Sequence, residues 1–190
     1  VTTVLSVMDG DWVEEWKARV GEDRANAVSN KAKSVGTSVH LMCEHYLKNE
    51  VTILNRLRLK SMPEAKLRFD NFKVFLDDIS TVFLSEAAVA SSVFEIGGTV
   101  DCFAVYRGKL SVIDFKTASR PKVKEDILSY FAQGAFYSAA IKEQYGLNKY
   151  PRVVIAIAVN GLKEPQVFES EAFIHFPYLV EAIKKYKSEN

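Results

Sequence analysis

Three residues on two neighbouring extended stretches are the best placed to do chemistry in this sequence. They are Asp101 in Gly97-Gly98-Thr99-Val100-Asp101, and Asp114 with Lys116 in Ile113-Asp114-Phe115-Lys116-Thr117. Arg107-Gly108 between the stretches reads as a two-residue hairpin loop, although Arg is not the favoured first residue of such a turn. If the loop is those two residues, Tyr106 pairs with Lys109, and counting back sets Asp101 opposite Asp114. Facing residues of an antiparallel pair hold their Cβ atoms roughly 4.5–5.5 Å apart. Carboxylates that close repel each other unless a cation lies between them, and Mg²⁺ (or Mn²⁺) takes carboxylates together with water and phosphate oxygen. Asp114 and Lys116, two positions apart, share a face. The set reads as metal-assisted attack on a phosphoryl group: the ion polarises an oxygen and acidifies a bound water, and Lys116 orients that water or stabilises the developing charge.

An acid-x-Lys triplet alone carries little, because Glu15-Trp16-Lys17 and Glu64-Ala65-Lys66 match it in helical-looking stretches. An exposed hairpin of mixed charge is the plain alternative. What separates Asp114 is its place at the end of an apolar strand with Asp101 in register, since burying such a pair without a function is costly. His40 and Glu44 lie four apart, on one face at the edge of the apolar stripe Val35, Val39, Met42, Cys43 and Tyr46. They read either as a surface His–Glu pair or as a neutral imidazole completing a metal shell, with Gly36 permitting close backbone approach. His45 and His175 read as ordinary.

The elements that must position these groups follow from periodicity. Asp11 is a candidate cap for a short helix carrying Trp12 and Trp16, a second helix is predicted from about 36 to 47, and Pro63 opens a third that ends near 79. Val, Phe, Ile and Thr then dominate 81–90, about 94–106 and 109–116, which read as three strands. A long helix is expected over 125–145, a strand covered on both faces over 152–159, a further strand near 166–173 and a closing helix over 178–187. This order predicts an α/β fold with a mixed sheet flanked by helices, within one domain. Residues 1–80 form a mainly helical region carrying the His motif, 81–160 the catalytic core, and 161–190 a C-terminal strand and helix.

Composition narrows the partners. Of 190 residues, 48% are hydrophobic and 26% charged, and the net charge is +1, so any nucleic-acid contact must come from local patches rather than bulk charge. Lys31/Lys33, Arg56/Arg58/Lys60 and Arg120/Lys122/Lys124 are such patches, and the last follows the Asp114 strand closely enough to hold a phosphate near the metal. Trp12, Trp16, Tyr130 and Phe131 are either stacking platforms for bases or core residues. Tyr130, Gln133 and Tyr137 share a helix face apart from the Leu128, Phe131 and Ala135 stripe, facing either a cleft or solvent. Cys43 and Cys102 read as small buried hydrophobes in a reducing compartment. No apolar run is long enough for a membrane span. The chain begins at Val1 with neither an initiator Met nor a signal-peptide pattern, a start that reads as either a trimmed chain or a missing N-terminal piece.

Taken in order, Gly36-Thr37, His40, Glu44, Tyr46-Leu47, Glu86, the Asp101 and Asp114-Phe115-Lys116 motifs, and Gln133 with Tyr137 resemble the RecB-like exonuclease branch of the PD-(D/E)XK nuclease superfamily. Within it the chain is similar to phage exonucleases and mitochondrial genome maintenance exonucleases. The resemblance spans residues 36–137 and implies a restriction-endonuclease-like α-β-β-β-α-β core. It implies Asp101, Asp114, His40 and the Phe115 carbonyl as metal ligands and Lys116 as the catalytic lysine. Glu86 would be the acidic residue of the first core strand, with Glu95 a competitor. Gln133 and Tyr137 would orient the lysine or DNA, and Glu44 would support His40. With two cysteines the chain cannot hold the four-cysteine iron–sulfur cluster of some relatives. The implied function is a Mg²⁺- or Mn²⁺-dependent exonuclease acting on DNA ends, with a single-stranded preference, in replication, recombination or repair alongside other proteins of those processes. An endonuclease of the same fold and a non-catalytic DNA-binding module are the alternatives. An intracellular setting is expected: cytoplasm, the host's if phage-encoded, or an organelle matrix.

Overall fold

A computed structural model describes residues 1–8 and 12–189. The expected cap at Asp11 and the Trp12 side chain lie outside the described residues. The elements are α1 (Thr2–Leu5), α2 (Trp12–Val20), α3 (Glu22–Leu47), α4 (Val51–Lys60), α5 (Pro63–Asp77), β1 (Ile79–Ser91), β2 (Ile96–Tyr106), β3 (Lys109–Ala118), α6 (Leu128–Tyr145), β4 (Arg152–Val159), β5 (Gln166–Ser170) and α7 (Phe176–Glu189). One five-stranded sheet runs in the order β1-β2-β3-β4-β5. β3 and β4 pair in parallel and the other neighbours antiparallel, so the sheet is mixed as expected. The crossover between the parallel strands is α6, and together these elements make the α-β-β-β-α-β core.

Helices cover both faces. Against one, α3 and α5 bury Val39, Met42, Phe69 and Phe72 on Cys102, Ile113, Phe115 and Ala156. Against the other, α6 and α7 pack on Phe103, Val112, Ile155 and Ile157. In β4 the even positions Val154, Ala156 and Ala158 serve the first face and Val153, Ile155 and Ile157 the second. That explains its unbroken apolar run. Gly134 lets α6 approach β4 closely: a Cβ there would stand 2.4 Å from Val153 Cγ1.

Three expectations need correction. The His-bearing helix starts at Glu22, not near 36: its first half, with Asn26, Ser29, Asn30 and Lys31, is largely exposed and so carries no apolar rhythm to read. Space around Gly36 is open, with nothing within 4 Å of a Cβ, so no close backbone approach occurs there. Helix α4 is an addition to the expected elements; none of its described residues is fully buried, and Leu54 and Leu57 pack partly buried against the core.

Candidate active site

Pairing of β2 with β3 starts at Tyr106 with Lys109, as the loop length requires, and continues to Cys102 with Ile113. Beyond that pair the strands diverge. β2 stays with β1, Val100 pairing with Ala87, while β3 follows β4, Asp114 pairing with Ile155. The expected face-to-face contact of Asp101 with Asp114 is thus replaced by a fork. Asp101 Oδ2 accepts the Phe115 N–H at 2.8 Å, standing in for the missing strand carbonyl.

The fork gathers groups from both faces. His40 of α3 donates Nε2–H to the Phe115 carbonyl at 2.6 Å. Its Nδ1 then lies 3.5 Å from Asp101 Oδ2 and 3.6 Å from Glu86 Oε1. Glu86 sits on β1 between the pairs Ser85–Cys102 and Ala87–Val100, opposite Asp101. Its φ of 48° is left-handed, a strained state for a residue with a Cβ. Ligand atoms of His40, Glu86 and Asp101 all lie within 4.8 Å of one another. The Phe115 ring is wedged against Phe72 and Phe75, which fixes the backbone whose N–H and C=O serve Asp101 and His40.

Asp114 points to the α6 side. It is 1% exposed, and both carboxylate oxygens are buried. Its close neighbour is the Lys116 ammonium, 2.6 Å from Oδ2. Lys116 donates to Gln133 Oε1 at 3.2 Å, Gln133 donates to the Tyr137 hydroxyl at 3.0 Å, and the ammonium stands 5.3 Å from the Tyr130 ring centre. The Tyr130, Gln133 and Tyr137 face therefore turns to the site rather than to bulk solvent.

The electrostatics describe a site with excess negative charge. Burial and then the Asp114 charge lift Asp101 to about 7, against the pull of His40 and Lys116. Burial alone would lower His40, but Glu86, Asp101 and Asp114 outweigh it and raise it to about 9. Lys116 is likewise held above its ordinary value by Asp114 and Asp101 despite burial. Buried Tyr137 is pushed up to about 12. The imidazole of His40 and the carboxylates of Glu86 and Asp101 form the hard oxygen and nitrogen donor set that a divalent cation fits.

Other expected residues sort by position. Glu95 carries an ion pair with Lys187 on the surface, so Glu86 is the strand acid that joins the site. Glu44 lines the groove containing His40 and Glu86, but it pairs with Lys48 at 2.6 Å rather than supporting His40. Arg120 and Lys122 line a cavity of about 480 Å³ with Tyr130 and Gln133, next to Lys116. Lys124 is not in that lining and acts instead on His175, whose pKa it helps lower after burial. Lys31 and Arg58 are neutralised by Glu64 and Asp70. Phe131 is core, stacked on His175 at 4.5 Å, and Leu128 is exposed, outside the apolar stripe expected for it. Trp16 lines a groove with Arg19, Arg120 and Lys122. Cys43 and Cys102 are free and buried, and burial pushes Cys102 up to about 12, so both behave as apolar filler.

Two further residues matter that the sequence motifs do not include. Arg68 falls on the buried stripe of α5 with Ala65, Phe69 and Phe72, a position where an arginine signals a built contact. Gln166 opens β5, and nothing in its neighbourhood marks it.

A nuclease-type core forked at two acidic residues, with a lysine two positions along, defines a class of phosphodiester-cleaving proteins. Residues 14–189 match the profile of the PD-(D/E)XK nuclease superfamily, and the chain belongs to that superfamily. It is similar to mitochondrial genome maintenance exonuclease 1 of Homo sapiens, with 32% identity over 117 residues covering 58% of this chain and 32% of that protein. The Xenopus tropicalis protein of the same name is 29% identical over 174 residues, covering 87% of this chain and 49% of that protein. The chain thus spans about a third to a half of these relatives. A crystal structure of a candidate exonuclease from Eubacterium rectale shares the fold, with a TM-score of 0.55 at 12% identity, covering 82% of this chain and 65% of that one.

Proposed function

We propose that this nuclease is a divalent-metal-dependent exonuclease that hydrolyses phosphodiester bonds at DNA ends, with a preference for single strands. The observation that carries the reading is the His40–Glu86–Asp101 cluster, whose ligand atoms lie within 4.8 Å of one another, with the buried Asp114–Lys116 pair on β3 next to it. The relatives are named exonucleases, which supports the same activity here. His40, Glu86, Asp101, Asp114 and the Phe115 carbonyl would hold Mg²⁺ or Mn²⁺, the Phe115 carbonyl releasing or sharing its bond from His40. When bound, the ion supplies Lewis-acid polarisation of a phosphoryl oxygen and an acidified water.

The chain's own groups do the rest. Gln133, steadied by Tyr137, sets the direction of the Lys116 ammonium. Asp114 and Asp101 keep that ammonium charged, so it stabilises negative charge on the phosphate and orients the attacking water instead of acting as a base. Arg120 and Lys122 hold a neighbouring phosphate of the strand, and residues 1–80, 81–160 and 161–190 work as one nuclease domain. End-labelled linear and circular single strands incubated with Mg²⁺, Mn²⁺ or chelator test the proposal. Metal-dependent loss of linear strands with circles spared is expected; circles cut as fast as linear strands would identify an endonuclease, and cleavage in chelator would sink the metal assignment.

A further inference from the structure

We infer that Gln166 and Arg68 are positioning residues, which pin the loop 119–123 at its two ends and so hold Arg120 and Lys122 against the substrate strand. The inference rests on the nuclease reading and adds to it the device that seats the strand.

The loop leaves β3 at Ala118 and is exposed at Ser119, Arg120 and Pro121. It forms the wall between two hollows: Arg120 and Lys122 line both the cavity that holds Tyr130 and Gln133 and the groove that holds Trp16 and Arg19. An exposed five-residue connection would ordinarily sample many conformations, and a phosphate-binding arginine on it would lose affinity accordingly. Here both ends are tied. At the first, the buried Arg68 guanidinium crosses from α5 and donates to the carbonyls of Ala118 at 2.5 Å and Ala158 at 2.8 Å. Ala118 O also accepts the Asn160 N–H at 3.1 Å. The charge of Arg68 is answered by Glu64 at 3.5 Å, itself paired with Lys31.

At the other end, the Gln166 amide clasps one residue from both sides. Its Oε1 accepts the Lys122 N–H at 2.8 Å, and its Nε2 donates to the Lys122 carbonyl at 3.1 Å. This reproduces the two bonds of a β-ladder with a side chain. A carboxylate at the position would accept the N–H and repel the carbonyl, and a thioether would do neither. The pins leave the Arg120 side chain unengaged by the loop's own backbone bonds and fix the direction in which it leaves the chain.

The variants Gln166→Met and Gln166→Glu test the clasp. Three quantities are read with Mg²⁺: KM and kcat on a single-stranded oligonucleotide, hydrolysis of the small diester bis(p-nitrophenyl) phosphate, and, in Ca²⁺, fluorescence anisotropy of a labelled oligonucleotide. Gln166→Met is expected to raise KM and the oligonucleotide Kd by roughly tenfold, because apparent affinity falls with the fraction of loops in the seated conformation. Its kcat should stay within about twofold and small-diester hydrolysis should not change, since neither needs the loop. Gln166→Glu should fall between the two proteins. Arg68→Lys, which keeps one donor, should shift KM in the same direction with a lower Tm. Unchanged KM and Kd in Gln166→Met overturn the inference, as does an equal fall of kcat on both substrates, which marks a purely structural role. Wild-type protein that cleaves neither substrate rejects the nuclease reading instead, while the anisotropy still judges the clasp; wild-type protein that binds no oligonucleotide rejects the clasp.

Discussion

Removing a single charge at Asp114 separates chemistry from stability. The carboxylate is buried, and the charge that offsets its desolvation is the Lys116 ammonium 2.6 Å away. Asp114→Asn keeps the shape of the side chain and is expected to lower nuclease activity by at least about a hundredfold while the metal-free protein still unfolds in one cooperative transition, at a somewhat lower Tm because Lys116 loses its partner. Adding Mg²⁺ should then raise the Tm of the wild type but not of the variant; a variant that unfolds on its own in a melting scan would assign Asp114 a structural role. Glu86 offers a second residue-scale test. Its left-handed backbone costs a residue with a Cβ roughly 1 kcal/mol that glycine does not bear. Glu86→Gly should therefore be about 1 kcal/mol more stable to urea than Glu86→Ala, although both lose the carboxylate and both should lose activity. Equal stabilities would remove strain from the account of this position.

At the scale of elements, the crossover is the place where packing is tightest. Gly134→Ala drives a methyl into Val153 at 2.4 Å and should destabilise the protein by about 1–3 kcal/mol in urea unfolding. Val153→Ala in the same chain should recover some of that loss, a coupling that a double-mutant cycle reads directly. The same scale shows what the sequence could and could not tell. β4 is legible because both faces are covered, and the β2–β3 turn because Tyr106 and Lys109 leave room for a two-residue loop. The start of α3 is not legible, because its first half lies largely in solvent and selects no apolar rhythm. The site residues themselves are readable from type and spacing, but their arrangement is not. Counting along the hairpin puts Asp101 opposite Asp114, whereas the strands separate just before that pair because β2 and β3 each follow another neighbour. Glu86 cannot be told from Glu95 by sequence, since only the tertiary fold sends one to His40 and the other to Lys187. Gln166 acts on backbone atoms, whose positions leave no trace in residue type, whereas Arg68 is marked by being an arginine on an apolar stripe.

For the whole molecule, a net charge of +1 gives no bulk attraction to a polyanion, so on the proposed function the pull comes from local groups such as Arg19, Arg120 and Lys122. Oligonucleotide affinity should then fall with salt at a log–log slope of only about −2, as expected for a few phosphate contacts on a single strand. A slope several times steeper would reveal a larger basic surface at work. Global stability carries its own pH signature. His175 is stacked on Phe131, and burial, then Lys124, hold its pKa below the ordinary 6.5. The unfolded chain therefore binds this proton more readily, so the contribution is full above pH 6.5 and is lost as pH falls through the lower folded value. His175→Phe should flatten that decline in Tm between neutral and mildly acidic buffers. No helix among the described residues is long and apolar enough to cross a membrane.

The divergence of β2 from β3 has a consequence for how the enzyme comes into being. The His40 ring meets the Phe115 carbonyl across 75 positions of chain, and Glu86 and Asp101 arrive on separate strands. Asp101, Asp114 and Lys116 share one hairpin, but His40, Glu86 and Gln133 reach it from other elements. The set is complete only once the helical layer has closed over a finished sheet, so on the proposed activity a half-made copy emerging from the ribosome would leave the nucleic acid around it uncut.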